Sequence, residues 1–206
     1  MLTLADIERE CASVDGVVFD FGGVFTVSPK TDDWPVYAYC ANFGVDRAAV
    51  DRGWKRYRDL WDNGSIPFAE LYRRTFADAG ATLADSQLDV LWELDAVGWV
   101  RTLREDTLAL MRRLKASGKK LGVLSNMAPE YYERLFVPRC AAYRALVDAE
   151  VISGLCRMYK PEEPIYRLAE RRMGLPPDRL LFLDDTEANV LAARAFGWHA
   201  EVYPSA

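Results

Sequence analysis

The sequence has few of the residues on which several common kinds of catalytic and structural site depend. It contains a single histidine, His199, and its four cysteines lie far apart, at Cys11, Cys40, Cys140 and Cys156. No two cysteines form a C-x-x-C pair and none lies beside the histidine, which argues against a zinc site and a disulfide framework. A serine or cysteine nucleophile activated by histidine would have to use His199, and no nucleophile-elbow pattern accompanies it. Carboxylates and lysines are therefore the remaining candidates for catalytic residues.

Charge and hydropathy exclude two further kinds of partner. The 31 acidic and 26 basic residues give a net charge of −5 and are spread without a basic block, so we expect no nucleic acid partner. No stretch approaches the roughly 18 apolar residues that a membrane span needs. The first ten residues also lack the basic start and apolar run of a signal peptide. We therefore expect a cytoplasmic protein with no nucleic acid or membrane partner, and the sequence makes no prediction about its oligomeric state.

Apolar runs and helical patterns alternate along most of the chain. Strands are predicted at residues 14–20, 119–125, 151–153, 180–183 and 199–203. Helices are predicted between them, at residues 104–117, 129–136, 161–173 and 187–196. Strands that alternate with helices indicate βαβ units, because each crossover helix packs back on the sheet. The predicted fold class is α/β, a mainly parallel sheet with helices on both faces.

One long segment departs from this alternation. No strand pattern occurs between about residues 30 and 104, where Trp54, Tyr57 and Trp61 fall on one face at helical spacing. These aromatic residues are expected to form the core of an all-helical insertion. The predicted division is a core of residues 1–29 and 105–206 and an inserted helical domain of residues 30–104.

Polar residues follow several of the predicted strands. In a parallel sheet, ligands bind beyond the carboxyl ends of the strands. Taken singly, each polar residue there has a simpler explanation as a turn or a helix cap. Their joint placement predicts a site built from Asp20, Ser125, Asn126, Lys160, Asp184 and Asp185.

Four stretches in this order resemble the haloacid dehalogenase superfamily. They are VVFDFGGV at residues 17–24, LGVLSN at 121–126, MYKPEEPIY at 158–166 and LFLDDTEANV at 181–190. The pattern is most similar to the branch that includes the amino-terminal phosphatase domain of soluble epoxide hydrolases and bacterial sugar-phosphate phosphatases. The resemblance implies a Rossmann-like core with a helical cap inserted after the first strand, and a Mg²⁺-dependent phosphatase that acts on a small phosphate ester.

The resemblance also implies a role for each site residue. Asp20 would attack phosphorus and form an aspartyl-phosphate, with Lys160 and Asp184 as further catalytic residues. The phosphoryl oxygens would be held by Ser125, Asn126 and Lys160. The metal ion would be held by Asp20, the main-chain carbonyl of Gly22 and Asp185. Three carboxylates in one site would repel each other unless cations lay among them, which agrees with a magnesium ion and a lysine.

One residue departs from the family pattern. Most phosphatases of this family carry a second aspartate two residues after the nucleophile, acting as a general acid and base, but this chain has Gly22. A general acid contributes about 10²- to 10⁴-fold, and its loss matters least for good leaving groups. This departure favours a sugar 1-phosphate or a similarly activated substrate.

Two other functions stay open at this stage. The 2-haloacid dehalogenases of the family also lack the second aspartate, although their last motif is not an aspartate pair, and their chemistry needs no divalent cation. The glycine at position 22 is also compatible with a catalytically weak scaffold that binds a phosphorylated ligand or a protein partner.

Overall fold

A five-stranded parallel sheet forms the centre of the computed structural model, which describes residues 4–204. Its strands are β1 (Gly16–Phe19), β2 (Lys120–Ser125), β3 (Ala149–Ile152), β4 (Leu180–Asp184) and β5 (His199–Val202). Their order is β3-β2-β1-β4-β5, and every neighbouring pair is parallel. The predicted α/β fold class is confirmed. Residues 1–3 and 205–206 of the expected core lie outside the described residues.

Helices connect the strands. Five lie between β1 and residue 104: α2 (Pro35–Ala41), α3 (Arg47–Asp62), α4 (Phe68–Asp78), α5 (Asp85–Leu94) and α6 (Ala96–Trp99). The others are α1 (Leu4–Ala12), α7 (Glu105–Ala116), α8 (Pro129–Tyr131), α9 (Val137–Arg139), α10 (Ala141–Arg144), α11 (Ser153–Cys156), α12 (Glu163–Met173) and α13 (Glu187–Ala195). A 3₁₀ turn covers Pro177–Arg179. Among the helices described over residues 4–204, none has the length and apolar character needed to cross a bilayer.

Both faces of the sheet are buried, as expected for parallel strands covered by crossover helices. Successive side chains of β1 alternate between the two faces. Val17 and Phe19 pack in one hydrophobic cluster and Val18 packs in the other. The first cluster continues into the helices between β1 and β2, whereas the second is formed with α12 and α13. The sheet edge that carries the polar residues is therefore held from both sides.

Between about residues 30 and 104 the chain forms helices joined by short loops, and the two ends of this segment lie near Thr26 and Leu103. These ends run side by side: Thr26 and Leu103 form an antiparallel bridge, and the amide of Arg104 donates to the Phe25 carbonyl at 2.8 Å. Helix α3 begins after Asp46, whose side chain accepts from the Ala49 amide. The chain thus leaves the sheet layer and returns to it at neighbouring points. The division into a core and a cap stays a prediction.

Several element boundaries differ from the sequence prediction, and two of these differences have a visible structural cause. The helix predicted at 129–136 begins at Pro129 but takes a π-helical turn over Tyr132–Phe136 before it continues to Arg139. The strand predicted at 151–153 ends at Ile152, because Ser153 starts the short helix α11. The hydroxyl of Ser153 binds main-chain groups of two other segments, which no local pattern reveals.

Candidate active site

The predicted polar residues meet at the carboxyl edge of the sheet. Asp20 follows β1, and its amide donates to the Leu183 carbonyl of β4 at 2.8 Å. Ser125 ends β2 and Asp184 ends β4, while Lys160 lies in the connection between α11 and α12. A cavity of about 390 Å³ opens at this edge, and Asp20, Ser125 and Lys160 line it.

Lys160 is the centre of the charged groups. Its side chain is buried, and Nζ donates to Asp20 Oδ1 at 2.8 Å and to Asp184 Oδ2 at 2.6 Å. Burial alone would lower the pKa of Lys160, but the two carboxylates outweigh it and raise that pKa above its usual value. The ammonium group is therefore a fixed positive charge beside Asp20.

Both carboxylate oxygens of Asp184 accept hydrogen bonds, and the residue does not line the cavity. Besides Lys160, its Oδ2 accepts from Asn189 Nδ2 at 3.0 Å, and its Oδ1 accepts from the Thr186 amide at 2.8 Å. The residue has no exposed surface. This geometry suits a group that holds Lys160 in place, with Asn189 bracing the acidic loop.

Three carboxylates, those of Asp20, Asp184 and Asp185, have oxygens within 4.8 Å of one another. Burial raises the pKa of Asp20 to about 7; Lys160 acts against this shift and the two neighbouring carboxylates add to it. Burial and Asp184 also raise the pKa of Asp185. One lysine does not balance three carboxylates, so the site has an excess of negative charge. All-oxygen donors with such an excess fit a hard divalent cation such as Mg²⁺.

Gly22 and Gly23, which follow Asp20 and Phe21, each lie close to another side chain. A Cβ at Gly22 would lie 3.3 Å from the ring of Trp99, so an indole from α6 covers the position of the missing aspartate. Gly23 has φ = 72°, and a Cβ there would lie 2.1 Å from Asp185 Oδ2. The main chain of this loop therefore lies directly against the Asp185 carboxylate, and Gly22 and Asp185 both line the cavity.

The Asn126 side chain binds the main chain of Lys160, a contact that the sequence did not reveal. Its Nδ2 donates to the Lys160 carbonyl at 3.0 Å, and its Oδ1 accepts from the Lys160 amide at 2.9 Å. The side chain is thus used to fix the main chain that carries the lysine. Any contact of Asn126 with a phosphoryl group would come from its main chain.

Sequence reasoning missed a second charged group, on the insertion side of the cavity. Arg58 and Asp62 of α3 line the cavity together with Trp99. Arg58 Nε donates to both Asp62 oxygens at 2.8 Å, and its guanidinium lies 4.1 Å from the Trp54 ring centroid and 4.5 Å from that of Trp61. The spacing of four residues would have predicted an ion pair on a helix, but not the face that it occupies.

Other arginines of α3 lie elsewhere. Arg52 and Arg56 border a separate surface pocket with Lys55 and Asp78 and do not line the cavity. Within residues 4–204, three cavity-lining residues have a buried donor without a hydrogen-bond partner: Arg58 Nη1, Trp99 Nε1 and the Tyr131 hydroxyl.

The Arg58–Asp62 pair has a third ionisable neighbour. Asp95, at the start of α6, has no exposed surface and accepts from the Tyr72 hydroxyl at 2.8 Å. Burial raises the pKa of both Asp62 and Asp95 to about 6, although Arg58 acts to lower each. Two carboxylates therefore share one arginine on this side of the cavity.

Hydrogen bonds fix the end of α3 to the sheet layer. The Ser153 hydroxyl donates to the Asp62 carbonyl at 2.6 Å and accepts from the Met127 amide at 2.8 Å. The Glu130 carboxylate accepts from Trp61 Nε1 at 2.6 Å and from the Phe68 amide. The two walls of the cavity are thus joined beside the site.

Comparisons with known proteins agree with this architecture. The sequence model of the haloacid dehalogenase-like hydrolases matches residues 14–197. A crystal structure of an enzyme of that family from Bacteroides thetaiotaomicron has a TM-score of 0.73 and 17% identity, covering 94% of this chain and 95% of the other. At 17% identity, this similarity supports the fold alone.

Two curated relatives are similar over part of their length. An (S)-2-haloacid dehalogenase from Pseudomonas putida is 35% identical over 95 residues, which cover 45% of this chain and 41% of the dehalogenase. A GMP/IMP nucleotidase from Escherichia coli is 30% identical over 110 residues, covering 53% of this chain and 49% of the nucleotidase. The chain spans less than half the length of these relatives in the matched regions.

Proposed function

The chain belongs to the haloacid dehalogenase-like hydrolases, and from that membership we propose that it is a Mg²⁺-dependent phosphatase that hydrolyses a small phosphorylated metabolite through an aspartyl-phosphate on Asp20. The family membership makes it a hydrolase. The choice of a phosphatase rather than another activity of the family rests on the residues of the site.

The observation that carries the proposal is the group of three carboxylates around one buried lysine. Asp20, Asp184 and Asp185 converge within 4.8 Å, and Lys160 supplies a single positive charge. Mutual repulsion of carboxylates raises their pKa values unless a cation is present. Phosphoryl transfer can use a bound divalent cation, whereas the displacement of halide from carbon does not need one.

Each residue then has a physical task. Asp20 attacks phosphorus, and Lys160 stabilises the charge that develops on the phosphoryl oxygens. Ser125 and the main chain of Asn126 hold those oxygens at the end of β2. Asp20, the Gly22 carbonyl and Asp185 would hold Mg²⁺, which when bound supplies further neutralisation of phosphoryl charge. Asp184 keeps the lysine oriented.

The insertion is proposed to act as a cap of residues 30–104 on a core of residues 1–29 and 105–206. Arg58, Asp62 and Trp99 of the insertion form one wall of the cavity. A wall of this kind excludes water from the reacting group and contacts the part of the substrate that leaves. Substrate choice would therefore depend on the insertion.

The lining supports a hydroxyl-bearing metabolite such as a sugar phosphate. Arg58 Nη1 and the Tyr131 hydroxyl offer donors, the Asp62 carboxylate offers acceptor oxygens, and Trp99 offers an apolar ring. Sugar hydroxyls both donate and accept hydrogen bonds, which suits this mixture. The nucleotidase relative makes nucleoside monophosphates the other class to compare.

The test is phosphate release from sugar phosphates, nucleoside monophosphates and p-nitrophenyl phosphate, with Mg²⁺ and with EDTA. We expect Mg²⁺-dependent release, and we expect Asp20→Asn to lower kcat by at least about 10³-fold because the nucleophile is lost. Circular dichroism on the variant checks its fold. Full activity in Asp20→Asn would overturn the nucleophile assignment.

The second candidate is a 2-haloacid dehalogenase. The observation in its favour is the 35% identity to the Pseudomonas putida enzyme over 95 residues. Halide release from (S)-2-chloropropionate, unaffected by EDTA and without phosphatase activity, would establish it in place of the phosphatase. Tight binding of phosphate esters with neither activity would favour a binding scaffold.

A further inference from the structure

Phosphate monoester hydrolysis needs a proton at the leaving oxygen when that oxygen is a poor leaving group. The loop after Asp20 offers no acid, because position 22 is glycine. The Trp99 ring lies 3.3 Å from where a Cβ of Gly22 would be, so the wall at this place is aromatic. The proton has to come from another part of the cavity.

One carboxyl group at the cavity takes no part in the chemical steps of the proposed function. Among residues 4–204, the carboxylates that line the cavity are Asp20, Asp62 and Asp185. Asp20 is the proposed nucleophile, and Asp185 is a proposed metal ligand. Burial raises the pKa of Tyr131, the lining tyrosine without a hydrogen-bond partner, well above its usual value, which leaves this hydroxyl a poor proton donor near neutral pH. Asp62 remains.

Asp62 reaches the cavity from a different layer of the fold than the nucleophile. It is the last residue of α3 in the insertion, whereas Asp20 follows β1 of the sheet. In an in-line displacement the leaving oxygen lies on the side of phosphorus away from the attacking oxygen. A group supplied by the insertion can meet the leaving oxygen there, while the sheet edge holds the phosphoryl group.

The position of Asp62 is also fixed relative to the phosphoryl-binding loop. Its main-chain carbonyl accepts from the Ser153 hydroxyl, and that hydroxyl accepts from the amide of Met127, two residues after Ser125. Arg58 Nε holds both carboxylate oxygens at 2.8 Å. Such a fixed geometry is what proton transfer to a bound group requires.

We propose that Asp62 is the general acid and base of this enzyme, a catalytic residue supplied by the insertion in place of the aspartate absent at position 22. Resting on the proposed phosphatase function, the cycle has two steps. Asp20 bonds to phosphorus, the bond from phosphorus to the leaving oxygen breaks, and the Asp62 carboxyl proton passes to that oxygen. Water then bonds to the phosphorus of the aspartyl-phosphate, one of its protons returns to Asp62, the bond from phosphorus to the Asp20 oxygen breaks, and phosphate leaves.

The surroundings of Asp62 suit a group that gains and loses a proton. Burial raises its pKa to about 6, and Arg58 opposes that rise, while Asp59 on the same helix and Asp95 at the start of α6 add to it. Tyr131 and Tyr159 face it from the sheet layer. A carboxyl group with this pKa is partly protonated near neutral pH.

The test is the dependence of Asp62→Asn on the leaving group, with Mg²⁺ present. We expect kcat/KM to fall by about 10²-fold or more for alkyl phosphates, and by less than about 10-fold for p-nitrophenyl phosphate, whose leaving group needs no proton. The alkaline limb of the wild-type pH profile for alkyl phosphates should be lost. Asp95→Asn, which removes a buried carboxyl of similar pKa outside the cavity lining, should leave the ratio between the two substrates unchanged.

The outcomes separate this inference from the proposed function. An equal loss on both substrates, with the alkaline limb retained, would show that Asp62 only shapes the cavity and would overturn the inference. Absence of phosphatase activity in the wild type would overturn the proposed function instead. If Asp62→Asn does not fold, Asp62→Glu carries the test, because it keeps a carboxyl displaced by one methylene and should still lose more activity on alkyl phosphates.

Discussion

Two buried charge clusters face the same cavity and are built differently. In the core cluster, Lys160 contacts two carboxylates, and Asp184 has donors for both of its oxygens. In the insertion cluster, Arg58 holds Asp62 through Nε alone and leaves Nη1 without a partner. In the core cluster the hydrogen bonds of the carboxylates are satisfied, whereas the insertion cluster keeps an unpaired donor; under the proposed function, the first would hold the phosphoryl group and the second would contact the rest of the substrate.

The largest expected effect is on the core cluster, from Lys160→Met. Two buried carboxylates would lose their only cation among the described residues, which should lower the free energy of unfolding by about 3–5 kcal/mol and activity by more than about 10³-fold. Denaturant unfolding in EDTA measures the stability. Lys115→Met is the matched control, because that lysine contacts Asp148 at 2.6 Å with both side chains over a third exposed, and it should change stability by less than about 1 kcal/mol. Equal losses in the two variants would contradict the contrast between buried and exposed pairs.

The next largest effect is on the pH dependence of stability, which we expect Asp95→Asn in the insertion cluster to reduce. A carboxyl whose pKa rises from 3.8 unfolded to about 6 folded binds more protons in the folded state, so stability is present at low pH and is lost as pH rises from about 4 to 6. The shift corresponds to roughly 3 kcal/mol at most.

Denaturant unfolding at pH 4.5 and 7.5 measures this effect. Asp95→Asn should lose less stability than the wild type between these pH values. An identical pH dependence in the two proteins would show that Asp95 has an ordinary pKa.

The smallest expected effect is on the arginine of the insertion cluster. Arg58→Met should lower the free energy of unfolding by about 2 kcal/mol, because Asp62 and Asp95 lose their shared cation while the arginine itself is partly exposed. Arg56→Met, on the same helix with an exposed partner, should cost less than about 0.5 kcal/mol. Thermal unfolding at pH 7 compares the two. A cost for Arg58→Met no larger than that of Arg56→Met would remove the basis for an insertion cluster.

The sequence was sufficient to predict the core cluster because parallel strands bring their carboxyl ends to one edge. Once residues 16–19, 120–125 and 180–184 are recognised as strands, Asp20, Ser125 and Asp184 have to lie near each other. The boundary errors at Ile152 and in the helix after Pro129 leave this convergence unchanged, since they do not alter strand order.

The insertion cluster could not be predicted in the same way. A helix presents several faces, and the arginines at positions 52, 56 and 58 of one helix are equivalent until its packing is known. The structure turns Arg58 and Asp62 towards the cavity and leaves Arg56 at the surface. The hydrogen bonds of the Asn126 side chain could not be predicted either, because its partners are main-chain atoms of a residue 34 positions away.

The clamp between Asn126 and Lys160 has a consequence for folding. Lys160 meets Asp20 across 140 positions of sequence, and its own main chain is fixed by a segment 34 positions away. Contacts of such separation carry a large loop-closure entropy and cannot form before the sheet has brought the strands together. Asp20, Asn126 and Lys160 therefore come together only when three distant parts of the chain have folded onto one another. Enzymatic activity recovered after dilution from denaturant would then count the molecules in which the whole sheet has assembled.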